Sequence, residues 1–187
     1  EPYGSAMVIQ TKAGVNANGN VLDWDLQIWS TPHGTRPGGE PGNLLSARYL
    51  EKPFVQPVPT NGGPPNYAAD RNGIALYDFA GHQVLTHFIT DMPVRVSSTR
   101  GLGAYANVFA IESFMDELAA EGEKDPLNLR LHLLRDSPKF VAVLNKLAEI
   151  SDYRTKRKQG VSIGIAIARS FASIVAHAIV VEKQKYR

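Results

Sequence analysis

The 187-residue sequence contains no cysteine. This absence excludes disulfide bonds, thiolate zinc sites, cysteine-ligated iron–sulfur clusters within the chain and cysteine nucleophiles. A charge excess is also lacking, because 20 Lys and Arg residues against 18 Asp and Glu residues leave a net charge of +2. So small an excess does not indicate a nucleic-acid or membrane-surface partner. Long apolar runs are missing too: the best, residues 161–168, is far shorter than the roughly 20 residues of a transmembrane helix.

The length is typical of one globular domain that can bury a core of its own. We therefore expect residues 1–187 to form a single domain. The chain begins at Glu1 rather than at a methionine, and we expect it to be a piece of a longer protein.

Apolar and polar residues alternate from residue 22 to residue 28, which predicts a half-buried strand. Residues 7–13 are its expected hairpin partner, across a connection rich in Asn and Gly. Residues 30–72 contain eight of the twelve prolines and show no periodicity, so they predict a long Pro/Gly-rich loop. One or two helical turns are expected within it, at residues 44–49. Further strands are predicted at residues 74–79, 83–90 and 93–97.

The period then changes to that of a helix. Apolar residues spaced by three and four positions predict a helix over residues 103–121, ended by Gly122. Asp125-Pro126 predicts the cap and first turn of a second helix, and Ser137-Pro138 does the same for a third. Two Ile- and Val-rich strands follow. Strands, three consecutive helices and strands again predict an α+β fold, with the helices packed on one face of a mainly antiparallel sheet. The predicted bounds of these later elements are 126–135, 139–150, 161–168 and 174–181.

Three groups of polar residues have ordinary structural explanations beside their chemical ones. The five histidines lack the spacing of metal ligands, which favours a surface or core role. Glu112 and Asp116 lie one helical turn apart and form either a paired-carboxylate site or a face that is solvated or holds neighbouring backbone. The basic run at residues 153–158 has no aromatic residues interleaved with it, so a solvated turn is favoured over a phosphate or nucleic-acid site.

The segment from Ser97 to Ala106 joins a predicted strand to the long helix. Gly101 and Gly103 permit a close approach to the backbone, and the first amides of the helix have no partner within it. Arg100 adds a permanent positive charge and a planar set of donors beside those amides. Together these features favour an anionic or oxo group, or they form only a turn, because the segment lacks the lysine of a P-loop and the third glycine of a dinucleotide-binding motif.

The Arg100-Gly101-Leu102-Gly103 turn, the helix with Glu112 and Asp116, and the following Asp125-Pro126 and Arg130 resemble one family. It is the molybdenum-cofactor-binding (large) subunit of the xanthine dehydrogenase and aldehyde oxidase family. More narrowly, the chain is similar to bacterial large subunits of the nicotinate dehydrogenase and isoquinoline 1-oxidoreductase type, on the motifs Pro2-Tyr3-Gly4-Ser5-Ala6-Met7, Asp70-Arg71-Asn72, Leu76-Tyr77-Asp78-Phe79 and Gly103-Ala104-Tyr105-Ala106-Asn107.

The resemblance implies an oxidoreductase that hydroxylates an N-heterocycle or an aldehyde carbon with oxygen from water. A molybdenum pyranopterin would be its cofactor, and Arg100, Gly101, Leu102 and Gly103 would line the cofactor opening. Arg100 is the one residue expected to take a catalytic part, and no side chain is expected to bind metal directly. The implied partners are the remainder of the molybdenum-binding subunit, a small iron–sulfur subunit and a cytochrome c electron acceptor. The compartment stays open between the bacterial cytoplasm and periplasm, with association to the inner membrane through partners.

The chain also departs from the family pattern. The family's other glycine-rich cofactor loops and its catalytic glutamate have no counterpart here, so the chain alone is expected to bind no cofactor and to be inactive. Ala104-Tyr105-Ala106 replaces the Gly-Pro-Gln or Arg-Pro-Glu of better-known members, which leaves the substrate open. The alternative is a non-catalytic scaffold or interaction domain with the same fold, which docks a partner through the Pro-rich loop. In that alternative the 1–187 domain keeps the architecture without the reaction.

Overall fold

A computed structural model of the protein describes residues 3–35, 38, 40–63 and 68–182. It contains strands β1 (Met7–Val15), β2 (Val21–Ser30), β3 (Gly81–Phe88), β4 (Ser162–Ser170) and β5 (Ser173–Val181), and helices α1 (Ala104–Glu121), α2 (Pro126–Leu133), α3 (Pro138–Ile150) and α4 (Tyr153–Lys158). The predicted α+β class is confirmed. The strands form two sheets, one in the order β1-β2-β3 and one of β4 and β5. None of the described helices combines the length and apolarity needed to cross a membrane.

The chain folds as two compact units. The first consists of Glu1–Lys12, Trp24–Ile74 and His82–Ile111, and the second of Ala13–Asp23, Ala75–Gly81 and Glu112–Arg187. Strands β1 and β2 and helix α1 each contribute residues to both units. A single domain over residues 1–187 stays a prediction.

The β1–β2 hairpin agrees with the sequence pattern except at Leu22. Trp24, Leu26 and Ile28 on β2 are buried, but Leu22 is 49% exposed because Val21 takes the buried position before it. At the connection, the Asn16 carboxamide oxygen accepts the N–H groups of Asn18 and Asn20, an arrangement that favours a tight turn.

Within the predicted Pro/Gly-rich loop, two short 3-10 helices cover Pro41–Asn43 and Leu45–Tyr49. The second of these matches the helical turns expected at residues 44–49. Residues 36, 37, 39 and 64–67 of that loop lie outside the described residues, and they include three of its prolines.

Two predicted strands are wrong. Residues 74–79 form bends, in which Tyr77 and Phe79 are buried without a partner strand, so that burial alone explains the apolar pattern. Residues 93–97 form only an isolated bridge between Tyr3 and Val96. The Val96 carbonyl accepts a hydrogen bond from the Thr35 hydroxyl at 2.6 Å and not from a neighbouring strand. No strand ladder therefore forms there.

Helix α2 begins as predicted. The Asp125 carboxylate accepts the N–H groups of Leu127 and Asn128 at 3.0 Å each, which caps α2. The prediction of a turn at the basic run is wrong, because residues Tyr153–Lys158 form the short helix α4. The reason is Tyr153, whose ring is buried and whose hydroxyl donates to Asp125 at 3.1 Å. Three basic residues in the last turn of α4 stabilise the helix, because its C-terminus carries a partial negative charge.

Strands β4 and β5 pair antiparallel from Ser162↔Val181 to Ser170↔Ser173. Alternate residues of β4, namely Ile163, Ile165 and Ile167, are buried on one face of this hairpin. Helix α3 contacts β5 and helix α4 contacts β4, so two helices pack against this hairpin. This packing places the Ile167 backbone beside helix α1 within the second unit.

Candidate functional site

The Arg100–Gly103 turn leads directly into α1, in the first unit. The Leu102 N–H donates to the Thr99 carbonyl at 3.1 Å, and the Ala104 N–H donates to the Gly101 carbonyl at 3.0 Å. Gly101 has φ +90° and Leu102 has φ +55°, so two successive residues adopt left-handed backbone. Glycine adopts this conformation without strain, whereas a branched side chain such as that of Leu102 rarely does. The turn therefore presents Arg100 beside the start of the helix.

Gly103 approaches the segment around Ala68 and Ala69. Its N–H donates to the Ala68 carbonyl at 2.9 Å, and a Cβ at this position would lie 2.1 Å from the Ala69 carbonyl oxygen. Asn107, one turn into α1, donates from its carboxamide to the carbonyls of Ala69 and Arg71 at 2.9 Å each. The glycine at 103 is thus required by neighbouring backbone, and Asn107 fastens that backbone to the helix.

We expect Gly103→Ala to lower the free energy of unfolding by about 1–3 kcal/mol, because a Cβ there overlaps backbone that cannot rotate away as a side chain can. Equilibrium unfolding in urea measures the change. Gly164→Ala on β4 is the matched control, since a Cβ at Gly164 has no neighbour within 4 Å. Equal stability of the two variants would contradict the role assigned to Gly103.

Two kinds of donor at this turn have no protein partner among the described residues. The Arg100 side chain is exposed and forms no hydrogen bond or ion pair there. The N–H groups of Tyr105 and Ala106, in the first turn of the 18-residue α1, meet no acceptor there either. Free amides at a helix N-terminus and a nearby guanidinium favour an anionic or oxo group. Arg100 and these two amides are therefore donors without a partner among the described residues, whereas the Gly103 N–H donates to the Ala68 carbonyl.

The second unit holds a buried polar cluster around Glu112. The Glu112 carboxylate accepts the Tyr77 hydroxyl at 2.6 Å, the Arg130 Nε at 3.1 Å and the Ile167 backbone N–H at 3.0 Å. Burial raises the pKa of Glu112, although Arg130 and the hydrogen bond from Tyr77 oppose the rise. Burial, together with the neighbouring Glu112 charge, raises the pKa of the Tyr77 hydroxyl. The carboxylate thus joins α1 to α2, to β4 and to the segment before β3.

Arg130 completes this cluster and is fully buried. Besides Glu112, its guanidinium donates to the Asp116 carboxylate at 2.6 Å and to the backbone carbonyls of Pro126, at 3.2 Å, and Glu112, at 2.9 Å. Glu112 and Asp116 therefore hold an arginine and neighbouring backbone, which confirms the structural interpretation of this pair over the catalytic one. Glu112 and Arg130 are buried, whereas the Asp116 side chain is 40% exposed.

The remaining candidates are structural. The Ser30 hydroxyl lies 3.0 Å from the His33 Nε2, and both residues are buried. The sequence pattern did not predict this pair. Burial lowers the pKa of His33, whose Nδ1 meets no acceptor among the described residues, so no third group orients the imidazole for catalysis. In the described part of the chain, no three His, Asp or Glu side chains converge as metal ligands would.

Comparison with solved structures shows the fold. Two solved oxidoreductase structures share the fold. Aldehyde oxidoreductase from Desulfovibrio gigas matches 89% of this chain and 18% of its own, at a TM-score of 0.56 and 21% identity. Quinoline 2-oxidoreductase from Pseudomonas putida 86 matches 89% of this chain and 22% of its own, at a TM-score of 0.54 and 13% identity. No family model matches the sequence.

Sequence similarity then points to particular relatives. The chain is 34% identical over 154 residues to a subunit of nicotinate dehydrogenase from Pseudomonas putida, a match that covers 82% of this chain and 12% of that protein. It is 36% identical over 76 residues to the beta subunit of isoquinoline 1-oxidoreductase from Brevundimonas diminuta, covering 39% of this chain and 10% of that protein. These relatives indicate the xanthine oxidase family of oxidoreductases. The chain spans about an eighth of the nicotinate dehydrogenase polypeptide that it matches.

Proposed function

We propose that this chain is part of the molybdenum-cofactor-binding subunit of a hydroxylase in the xanthine oxidase family. The complete enzyme would hydroxylate an N-heterocycle or an aldehyde, with the oxygen taken from water. The names of the two sequence relatives, nicotinate dehydrogenase and isoquinoline 1-oxidoreductase, favour an N-heterocycle. The observation that carries the proposal is the exposed Arg100 beside the free amides of α1, within the turn on which the family resemblance rests.

The donors at this turn fit one side of a molybdenum pyranopterin, which carries phosphate and oxo groups. Arg100, Gly101 and Leu102 would line the opening, and the Tyr105 and Ala106 amides would donate into it. Gly103 would shape the opening through its contact with Ala68 and Ala69 rather than by touching the cofactor. When bound, the cofactor would supply the oxidation of the substrate carbon. This chain would hold and orient the cofactor through its fixed positive charge.

Other parts of the enzyme have to complete the site. Arg100 and two amides are one set of donors, whereas a catalytic geometry is held by several loops together. We therefore propose that the isolated chain binds no stoichiometric molybdenum, and that the remainder of the large subunit supplies the other cofactor contacts. As the family resemblance implies, a small iron–sulfur subunit and a cytochrome c would carry electrons away.

The test compares the complete polypeptide, purified with its partner subunits, with the 187-residue chain alone. For the complete protein we expect stoichiometric molybdenum by elemental analysis and dye reduction that depends on nicotinate, isoquinoline or an aldehyde. Growth with tungstate in place of molybdate should abolish the dye reduction. The isolated chain should show neither property. A complete protein that lacks both molybdenum and activity would instead favour the scaffold alternative, in which the Pro-rich loop docks a partner.

A further inference from the structure

A small cavity of about 150 Å³ lies in the first unit, formed mainly by the segments 42–59 and 90–96. Two arginines, Arg48 and Arg95, line it together with the Asp91 carboxylate. Asn43, Gln56 and Thr90 add amide and hydroxyl groups. Pockets for organic ligands typically measure about 300–1,000 Å³, so this cavity is too small for a pyranopterin or a heterocycle. Its dimensions suit a small ion.

Arg48 is incompletely satisfied in this cavity. Its Nε is buried and has no acceptor among the described residues, and one Nη reaches only the Met92 carbonyl, at 3.5 Å. A buried donor without an acceptor destabilises a folded protein, and a bound water or ion is one explanation for such a group. Guanidinium groups have five donors in a planar arrangement that matches phosphate and carboxylate oxygens.

The backbone that carries Arg48 is packed against its neighbours. Arg48 belongs to the 3-10 helix Leu45–Tyr49, which Ala47 anchors with a buried side chain. The preceding Gly42 is packed so closely that a Cβ there would lie 2.0 Å from the Val55 carbonyl oxygen. Ligand binding then needs no ordering of the backbone, which limits its entropic cost.

We propose that this cavity binds a small oxyanion of the phosphate or carboxylate kind, held by the Arg48 guanidinium with Arg95 beside it. Two guanidinium groups against one carboxylate leave the lining with a net positive charge, and Asp91 weakens binding by repulsion. The site is separate from the Arg100 turn and does not depend on the enzyme class.

Isothermal titration calorimetry of the protein with inorganic phosphate and with acetate, at constant ionic strength, tests the proposal. We expect saturable binding of one anion or both; phosphate alone identifies a phosphate site, and acetate alone a carboxylate site. Arg48→Met should weaken binding about tenfold or more, since it removes charge-assisted hydrogen bonds. Asp91→Asn should tighten binding about threefold by removing the repulsion.

Arg135→Met is the matched control. It removes an exposed arginine of the second unit, so binding should stay within about twofold of the unchanged protein. Absence of saturable binding for both anions overturns the proposal. An equal loss of anion affinity in Arg48→Met and Arg135→Met overturns it as well. Where circular dichroism shows that Arg48→Met is unfolded, Asp91→Asn decides: tighter binding supports the site, and unchanged or weaker binding refutes it.

Discussion

Arg130→Ala is expected to lower the free energy of unfolding by about 3–5 kcal/mol, as removal of one partner from a buried ion pair generally does. The arginine is fully buried, and its loss leaves the Glu112 carboxylate buried without its counter-ion. The variant also removes a donor from the backbone carbonyls of Glu112 and Pro126. Equilibrium unfolding in urea, followed by circular dichroism, measures the change.

Two further variants separate the buried charge from general effects of losing an arginine. Arg135→Ala removes a side chain that is 54% exposed and lies 3.5 and 4.0 Å from its two carboxylate partners. It should lower the free energy of unfolding by at most about 1 kcal/mol. The double variant Arg130→Met, Glu112→Gln should lower the free energy of unfolding by less than the sum of the two single variants. The reason is that neither position then holds an unpaired charge. An Arg130→Ala variant as stable as Arg135→Ala would show that the cluster contributes little.

Arg100→Ala in the complete enzyme is expected to lower kcat about 10²- to 10³-fold, the usual cost of removing one fixed donor from a site where charge develops. Stability should hardly change, because the Arg100 side chain is exposed and makes no hydrogen bond or ion pair to the described residues. Steady-state kinetics and urea unfolding measured on the same preparations test both statements.

Arg100→Lys and Arg135→Ala complete this comparison. Lysine keeps the positive charge but loses the planar donor geometry, so Arg100→Lys should recover part of kcat. Arg135→Ala removes the same charge at an exposed position of the second unit and should leave kcat unchanged. Unaltered turnover in Arg100→Ala would make Arg100 an ordinary surface arginine and would remove the main support for the cofactor opening.

The parts of the fold with a clear period were predictable from sequence. The spacing of Ile111, Met115 and Leu118 specified α1, and Asp125-Pro126 located the start of α2. Residues 74–79 misled the prediction because Tyr77 and Phe79 alternate for reasons of burial, without a pairing strand. Helix α4 was missed because its stability comes from a distant partner, the hydrogen bond between Tyr153 and Asp125.

The turn at residues 100–103 was predictable from sequence, but its contacts were not. Local sequence shows that a turn with two glycines precedes a long helix, and it shows Arg100 beside them. It does not show that the Ala68 carbonyl occupies the Gly103 amide, because that contact joins the turn to a loop without periodicity. The cavity at Arg48 was equally hidden, since its lining comes from segments whose proximity only the folded chain reveals.

The hydrogen bond from the Ile167 amide to Glu112 can form only late in the synthesis of the chain. Glu112 and Arg130 leave the ribosome before Ile167 does, so a nascent chain that ends before β4 lacks the amide that donates to Glu112 in the complete fold. In such a chain the Glu112 carboxylate lacks one of the three donors that it has in the complete fold. Contacts between residues so far apart in sequence form slowly. The second unit consequently reaches its final stability only after the β4–β5 hairpin has been translated.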